Sequence, residues 1–268
     1  MSVVLQISDP HFGTEQAPVV AALLQLHAQQ RPDVIVVSGD ITQRARRAQF
    51  DAAKNFFAQF ATPTVIIPGN HDIPLFNLAL RLFAPYANYM RVFGKNLQPS
   101  FSSDDLLVLG VNTTRPQRHT DGEISARQIL SVSERLRQAD RAQLRIVMTH
   151  QPVHVVTQKD ENNLLHGYRE AIDAWAQAGA DLIVGGHIHL PYVRPLHASA
   201  NPIIREMWAV QAGTALSSRV RGGIPNSVNI IRYEATAQRD CCVEQWDFDL
   251  RSAQFLLAMR TGLMLAQN

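Results

Sequence analysis

Short apolar runs separated by longer amphipathic stretches dominate the first two thirds of the chain. The runs are rich in Val, Ile and Leu, and Gly, Pro or a polar residue closes each of them. Five of them cover residues 3–7, 34–37, 65–67, 144–148 and 182–184. Runs that are apolar at nearly every position are typical of parallel strands buried on both faces. The pattern therefore predicts a parallel sheet at the centre of an α/β fold.

Apolar residues at helical spacing fill the stretches between these runs. Helices are predicted at 18–30, 45–60, 124–139 and 168–178. Ser125 is a suitable N-cap for the third helix, and Gly179 is a suitable stop for the fourth. The aromatic-rich segment 73–98 follows one of the strands. It forms either a cap over a site or, as the pattern favours, a helical connection that packs its aromatic rings inward.

The pattern changes from residue 202 onward, where strand-like runs are joined by turns. These runs cover residues 207–211, 227–233 and 242–248. We expect them to form a second, more antiparallel sheet packed on the first, followed by a C-terminal helix at 252–265. Since no repeat, linker or low-complexity segment interrupts the chain, we expect residues 1–268 to form one domain. Residues 202–268 would supply its second-sheet strands and its last helix.

Polar residues with metal-binding side chains follow each of the five apolar runs. They are Asp9 and His11, Asp40, Asn70, His150, and His187 with His189. In open α/β sheets a site lies in the crevice beyond the carboxyl ends of the strands. The spacing therefore predicts that all seven side chains meet at one edge and bind metal, in the form of two ions.

The ligand types narrow the chemistry of this predicted site. Asp, Asn and His without Cys suit Mn, Fe, Zn, Co or Mg better than a thiolate-binding metal. Asp40 is central in the set and has two oxygens, so it is the candidate for bridging two cations. Asp9, His11 and His189 would complete one shell, and Asn70, His150 and His187 the other. Two cations roughly 3.5–4 Å apart clamp a phosphoryl group and generate hydroxide from a bound water at neutral pH.

Two residues beyond the ligands are candidates for catalysis. His71 directly follows Asn70, so its ring is free to act as a general acid or as a donor to the transition-state phosphate. Asp72 is expected to accept the second N–H of His71 and fix its tautomer. Arg44, Arg115 and His119 lie near strand ends and are candidate substrate contacts, with an exposed-loop position as the alternative for each.

These residues together resemble the signature blocks of the calcineurin-like metallophosphoesterase superfamily. The blocks are Asp9-Pro-His11, Gly39-Asp40, Gly69-Asn70-His71-Asp72, His150 and Gly186-His187-Ile-His189. The resemblance implies an αββα fold, in which a sandwich of two β-sheets is flanked by helices, with a dinuclear centre that hydrolyses phosphate esters. Gln43 stands where purple acid phosphatases have a Tyr, and Asp72 where protein phosphatases have a Glu. The subgroup that the chain resembles most is the bacterial class III cyclic-nucleotide phosphodiesterases.

Composition and charge restrict the context. With 46% hydrophobic and 18% charged residues, the 268-residue chain has the composition of a folded globular enzyme rather than a disordered protein. A formal net charge of +2 gives no indication of a nucleic-acid groove, so nucleic acid is not an expected partner. No apolar stretch is long enough to span a bilayer. The adjacent Cys241 and Cys242 are poorly placed for a mutual disulfide. A cytoplasmic protein is therefore expected, and a homodimer remains open.

The sequence thus predicts a phosphodiesterase with two divalent or mixed-valence ions, of Mn, Fe or Zn. Metal-held hydroxide would attack the phosphorus of a small phosphodiester, with a 3′,5′-cyclic nucleotide as one candidate. The alternatives are a phosphomonoesterase or a nuclease at the same site. An alternative of another class is a non-catalytic scaffold with the same fold, which the complete set of ligands disfavours.

Overall fold

Two six-stranded β-sheets packed face to face form the centre of the molecule, with helices on both outer faces. The computed structural model describes residues 1–196, 206–236 and 238–266. Its strands are β1 Ser2–Ile7, β2 Val34–Ser38, β3 Thr64–Ile67, β4 Ser100–Ser102, β5 Leu106–Gly110, β6 Leu144–Met148, β7 Leu182–Gly185, β8 Tyr192–Leu196, β9 Met207–Gln211, β10 Ser227–Glu234, β11 Asp240–Asp249 and β12 Gln254–Leu263. Its helices are α1 Ala17–Gln30, α2 Arg47–Phe57, α3 Leu78–Phe83, α4 Ala87–Phe93, α5 Ala126–Arg137 and α6 Tyr168–Ala178.

The first sheet has the order β12-β11-β10-β1-β2-β3 and the second the order β4-β5-β6-β7-β9-β8. In the first, β1, β2 and β3 are parallel, and β10 to β12 extend the sheet from β1 as antiparallel strands. In the second, β5, β6, β7 and β9 are parallel, with antiparallel β4 and β8 at the two edges. This arrangement confirms the predicted two-sheet sandwich flanked by helices.

The alternation of side chains along the strands explains why the apolar runs are continuous. In β1, Val4 faces the other sheet, whereas Val3, Leu5 and Ile7 face the helices α1 and α2. The helices α5 and α6 cover the outer face of the second sheet in the same way. Because both faces of the central strands are covered, most positions in them are apolar, and the exceptions include Gln6, Ser38 and Arg145.

The five ligand-bearing strands are divided between the two sheets rather than placed in one. β1, β2 and β3 lie in the first sheet, and β6 and β7 lie in the second. The expectation of a single sheet edge is therefore corrected to the shared edge of a sandwich. Strand order depends on which faces the crossover helices cover, and single runs do not reveal it.

The C-terminal part differs from its prediction in two respects. β9 does not belong to a separate meander: it joins the second sheet parallel to β7. The predicted helix at 252–265 is wrong, because the chain turns at residues 250–253 and returns as β12 along β11. Leu, Ala and Met in this stretch favour a helix locally, but the hairpin partner overrides that preference. Residues 202–205, 237 and 267–268 of the predicted C-terminal region lie outside the described residues.

The segment after β3 combines the two alternatives that its sequence left open. In α4, Tyr89 is buried and its hydroxyl donates to the carbonyl of Ile66 (2.6 Å), so this helix packs inward. The six residues of α3 are exposed or half-buried, and Phe76 before this helix is 80% exposed. The first part of the segment therefore lies at the surface, and the second part belongs to the core.

Candidate metal centre

The backbone is strained at five of the seven predicted ligands. Their φ angles lie between 44° and 75°, in the left-handed region, at Asp9, His11, Asp40, His187 and His189. For a residue other than glycine, such a conformation costs on the order of 1–3 kcal/mol and persists only where the surrounding structure enforces it. These sharp bends turn the side chains beyond the strand ends, toward the shared edge of the two sheets.

Two glycines next to predicted ligands provide the space for this arrangement. Gly39 has φ +91°, and a Cβ there would lie 2.5 Å from Nδ1 of His150. A Cβ on Gly186 would overlap the side-chain oxygens of Ser8 and Asp9. The glycines in the Gly-Asp and Gly-His blocks are therefore required by close packing between segments that are far apart in sequence.

Asp9, His11 and His189 form what we call the first ligand group. Oδ2 of Asp9 accepts hydrogen bonds from Oγ of Ser8 (2.6 Å) and the backbone N–H of His187 (2.9 Å). Its Oδ1 lies 3.3 Å from Nε2 of His189 and 3.9 Å from Nε2 of His11. The two Nε2 atoms are 3.1 Å apart. One carboxylate oxygen and two imidazole nitrogens therefore converge on one point.

Asn70, His150 and His187 form the second ligand group. Nε2 of His150 and Nδ1 of His187 each lie 3.0 Å from Oδ1 of Asn70. The other ring nitrogen of His150 donates to the carbonyl of Ser38 (2.8 Å), which fixes the orientation of this ring. An amide oxygen and two imidazole nitrogens meet here.

Asp40 lies between the two groups. Its Oδ1 is 3.3 Å from Nε2 of His150, in the second group, and its Oδ2 is 3.7 Å from Nε2 of His11, in the first. The backbone N–H of His71 donates to Oδ1 (2.8 Å) and holds the carboxylate in this orientation. Each oxygen of Asp40 therefore faces a different ligand group.

The donor set fits cations rather than hydrogen bonds alone. Nδ1 of His150 and of His189 each donate to a carbonyl, so in the neutral rings Nε2 carries a lone pair. These lone pairs face the oxygens of Asn70 and Asp9, which are acceptors as well. Among the described residues, the buried Oδ1 of Asp9 has no hydrogen-bond donor. Converging lone pairs are stabilised when they coordinate a divalent cation, so the structure groups these residues for a metal site.

The pKa values of two of the buried rings agree with this function. Burial lowers the pKa of His11 to about 3 and that of His187 to about 4, so both are neutral at pH 7. Burial also disfavours the charged form of His150, but the carboxylates of Asp40 and Asp9 raise its pKa to about 9. Neutral imidazole is the form that binds metal, and metal binding to His150 releases its proton.

His71 lies at the edge of the site with its side chain 19% exposed. Its Nδ1 is 3.0 Å from the carbonyl of Gln43, which can only accept, so Nδ1 carries a proton. Nε2 then faces the cleft, 4.0 Å from Oδ2 of Asp40 and 3.1 Å from Nη1 of Arg219. The ring is therefore oriented by a backbone carbonyl and presents Nε2 to a bound substrate.

The prediction that Asp72 accepts the second N–H of His71 is wrong. The buried carboxylate of Asp72 instead accepts from the backbone N–H groups of Ile41 (3.0 Å), Thr42 (2.8 Å) and Gly69 (2.9 Å). Adjacent residues on this tight turn point in different directions, which separates the two side chains. Asp72 therefore joins the loops after β2 and β3, which carry two of the predicted ligands.

The three predicted substrate contacts have different positions. Arg44 and His119 line a recess next to His71 and Asn70. Arg115 lines neither this recess nor the larger cleft beside the two ligand groups, which we call the main cleft. Its guanidinium donates to carbonyl and side-chain oxygens of the scaffold: Asn112 O (3.2 Å), Thr114 O (2.9 Å) and Gln128 Oε1 (2.8 Å). Arg115 thus holds its own loop against α5.

The main cleft contains residues that the sequence reasoning missed. It has a volume of about 470 Å³, within the range of small-molecule sites of roughly 300–1,000 Å³. On one side it is lined by predicted ligands and His71, and on the other by Asp160, Arg219 and Arg221. The signal that could have identified this wall was a pair of arginines, Arg219 and Arg221, shortly before Gly222-Gly223 in a loop after a predicted strand.

In the part of the chain that the structure describes, no helix has the length and apolar character needed to cross a bilayer.

The sequence and the fold both resemble those of known phosphoesterases. The profile of the calcineurin-like phosphoesterase family matches residues 2–191. Over 203 residues, which are 71% of this chain and 74% of the relative, the sequence is 24% identical to a Synechococcus protein named a probable cyclic nucleotide phosphodiesterase. The fold resembles purple acid phosphatase PPD1 from yellow lupin, with a TM-score of 0.74, 13% identity, and coverage of 98% of this chain and 53% of that chain. It also resembles a dimetal phosphatase from Danio rerio, with a TM-score of 0.68, 12% identity and 99% coverage of both chains. The chain thus spans about half the length of the lupin enzyme.

Proposed function

Since this chain belongs to the calcineurin-like phosphoesterase family and is a metal-dependent phosphoester hydrolase, we propose that it hydrolyses a small phosphodiester. A 3′,5′-cyclic nucleotide is one candidate substrate, because the Synechococcus relative is named for that activity. The observation that carries the proposal is the position of Asp40, whose two oxygens face two separate ligand groups. A carboxylate in that position suits a centre with two ions.

The first ion would be held by Asp9, His11 and His189, and the second by Asn70, His150 and His187, with Asp40 shared between them. Nitrogen and oxygen ligands of this kind suit Mn, Fe or Zn. Two divalent ions bound there would neutralise the phosphate and lower the pKa of a coordinated water. Catalysis of phosphoryl transfer rests on positioning and charge neutralisation, and the fixed carboxylates and imidazoles supply the positioning.

His71 is the residue that we assign to proton transfer. The carbonyl of Gln43 holds Nδ1–H, so Nε2 is the nitrogen that faces the substrate. A proton on Nε2 would be given to the leaving oxygen of the ester, or would bind a phosphate oxygen in the transition state. General acid catalysis of this kind typically contributes roughly 10²–10⁴-fold.

A substrate panel on protein reconstituted with Mn²⁺, Fe²⁺ or Zn²⁺ tests the proposal. We expect faster hydrolysis of bis-p-nitrophenyl phosphate or cyclic AMP than of p-nitrophenyl phosphate or single-stranded DNA. Dominant cleavage of DNA would instead indicate a nuclease, and dominant cleavage of the monoester a phosphomonoesterase. Metal-loaded protein that hydrolyses none of them would favour the non-catalytic scaffold.

The assignment of His71 needs its own variant. His71→Ala should retain the metal content of the wild type and lower turnover by roughly 10²–10⁴-fold. His27→Ala, on the outer helix α1, is the matched control and should retain full turnover. Unchanged turnover in His71→Ala would contradict the role of this ring.

A further inference from the structure

Arg219 places a guanidinium at the mouth of the metal centre. Its Nη1 lies 3.1 Å from Nε2 of His71 and 3.2 Å from Oε1 of Gln43. A guanidinium has five N–H donors in a planar fork. Only Nη1 has a hydrogen-bond partner among the described residues, so the other donors of the fork can bind a ligand in the cleft.

The charge of Arg219 is not neutralised by the protein, in contrast to the charge of Arg221. Arg221 is paired with Asp160 at 2.9 Å and also donates to the carbonyl of Ile188 (2.9 Å). In the described part of the chain, no carboxylate lies within 4.0 Å of the guanidinium of Arg219. A half-buried cation next to a predicted phosphate site attracts an anion more strongly than it would in bulk water.

The backbone of Arg219 is held against the metal centre by a chain of hydrogen bonds. Its N–H donates to Oγ of Ser217 (3.2 Å), which lies 2.9 Å from Oγ1 of Thr214. Oγ1 of Thr214 donates to the carbonyl of Asp9 (2.7 Å). The carbonyl of Arg219 in turn accepts from Nδ1 of His189 (2.7 Å). The loop is therefore ordered by two members of the first ligand group, and its cation is positioned before any substrate binds.

We propose that Arg219 binds a non-bridging oxygen of the substrate phosphate and so acts as a third cationic group at the site, an inference that rests on the proposed function. On binding, the phosphate oxygen takes the place of His71 and Gln43 as the partner of Nη1, which frees Nε2 of His71 to take up a proton from solvent and donate it to the leaving oxygen. Guanidinium matches phosphate geometry through paired N–H donors, which a lysine cannot reproduce.

Binding of inorganic phosphate to the metal-loaded protein, measured by isothermal titration calorimetry, tests this proposal without relying on turnover. Arg219→Met should weaken phosphate binding by roughly 10–100-fold, the range for a lost charge-assisted hydrogen bond. Arg219→Lys should fall between this variant and the wild type. Arg137→Met removes an exposed charge from α5 and is the matched control, for which we expect unchanged affinity.

A second pair of variants separates direct binding from an effect through His71. If Arg219 contacts phosphate itself, Arg219→Met should weaken binding by a similar factor in the His71→Ala background. Loss of the effect in that background would reduce Arg219 to a positioning residue and overturn the proposal. Unchanged affinity in the single variant, or loss of bound metal from it, would overturn the proposal as well.

The failure of this proposal can be distinguished from the failure of the proposed function. A wild-type protein that binds phosphate through Arg219 but hydrolyses no ester of the panel would contradict the function and leave the role of Arg219 intact. If the wild-type protein hydrolyses diesters but the Arg219→Met variant binds phosphate as tightly as the wild type, the role of Arg219 is contradicted. The proposed function is then left intact.

Discussion

The two ligand groups share Asp40 but differ in charge and in the partners of their polar atoms. The first group contains the second carboxylate, Asp9, and it includes two buried atoms without partners among the described residues, Oδ1 of Asp9 and Nδ1 of His11. The second group contains the neutral amide of Asn70, whose oxygen is contacted by both imidazoles of that group. The first group therefore has more negative charge, and Oδ1 of its Asp9 faces the imidazole nitrogens without a hydrogen-bond donor among the described residues.

For the two-ion centre that we propose, this difference predicts that the two metal positions are unequal. A cation near two carboxylates gains more electrostatic stabilisation than one near a single shared carboxylate and an amide. We therefore expect the first ion to bind more tightly and the second to exchange more readily. The following variants test this inequality, beginning with the largest expected effect.

Asp40→Ala should have the largest effect because it removes the carboxylate that faces both groups. We expect both ions to be lost and hydrolysis to fall below detection. Metal content per chain, measured by inductively coupled plasma mass spectrometry after desalting, checks the first point. Asp51→Ala, which removes a half-exposed carboxylate of α2 that pairs with Arg91, should retain both ions. Two ions still bound to Asp40→Ala would contradict the bridging position.

Asp9→Asn should remove one ion and leave the other. The substitution preserves the size of the side chain but removes the charge that distinguishes the first group. We expect a stoichiometry of one ion per chain. The metal affinity at the first position should fall by more than the roughly 10–100-fold that is typical when a residue hydrogen-bonded to a metal ligand is replaced. Equal loss at both positions would show that the groups are not separable.

Asn70→Ala should weaken the second ion without affecting the first. The amide is neutral, so its removal costs less electrostatic energy than the removal of Asp9. We expect an intact tight site and a weaker second site in a metal titration followed by calorimetry. A variant that loses its tighter ion would reverse the ranking of the two groups.

Thr214→Val should have the smallest effect. It removes the donor to the carbonyl of Asp9 while nearly preserving side-chain volume. An unsatisfied buried carbonyl costs about 1–3 kcal/mol of stability, so the free energy of unfolding in urea should fall by that amount. Both ions should remain bound. A free energy of unfolding equal to that of the wild type would show that this bond does not hold the first group.

Much of the fold could be predicted because its signals are local. The five apolar runs before the predicted ligands all became strands, and Ser125 caps α5 as expected, accepting from the backbone N–H of Gln128. Gly179, with φ 97°, ends α6. Each of these features depends on the periodicity of a few neighbouring residues, so no tertiary information was needed.

The errors concern elements whose conformation depends on distant partners. Residues 254–263 have helix-forming composition but pair with β11, and β9 pairs with β7 rather than with the strands that follow it. The same limit applied within the site. The backbone carbonyl of Gln43 orients His71. The pattern of side chains along the sequence does not reveal a contact made by a backbone carbonyl.

The sequence by itself determined which residue types follow the central strands, and hence the family and the kind of chemistry, because strand ends and their polar residues are adjacent along the chain. Only the tertiary structure decided which backbone groups orient these side chains and that Arg219 lines the cleft. Those relations join residues up to about two hundred positions apart, such as Asp9 and Thr214. They exist only after the two sheets have packed, since packing alone brings their strand ends to one edge.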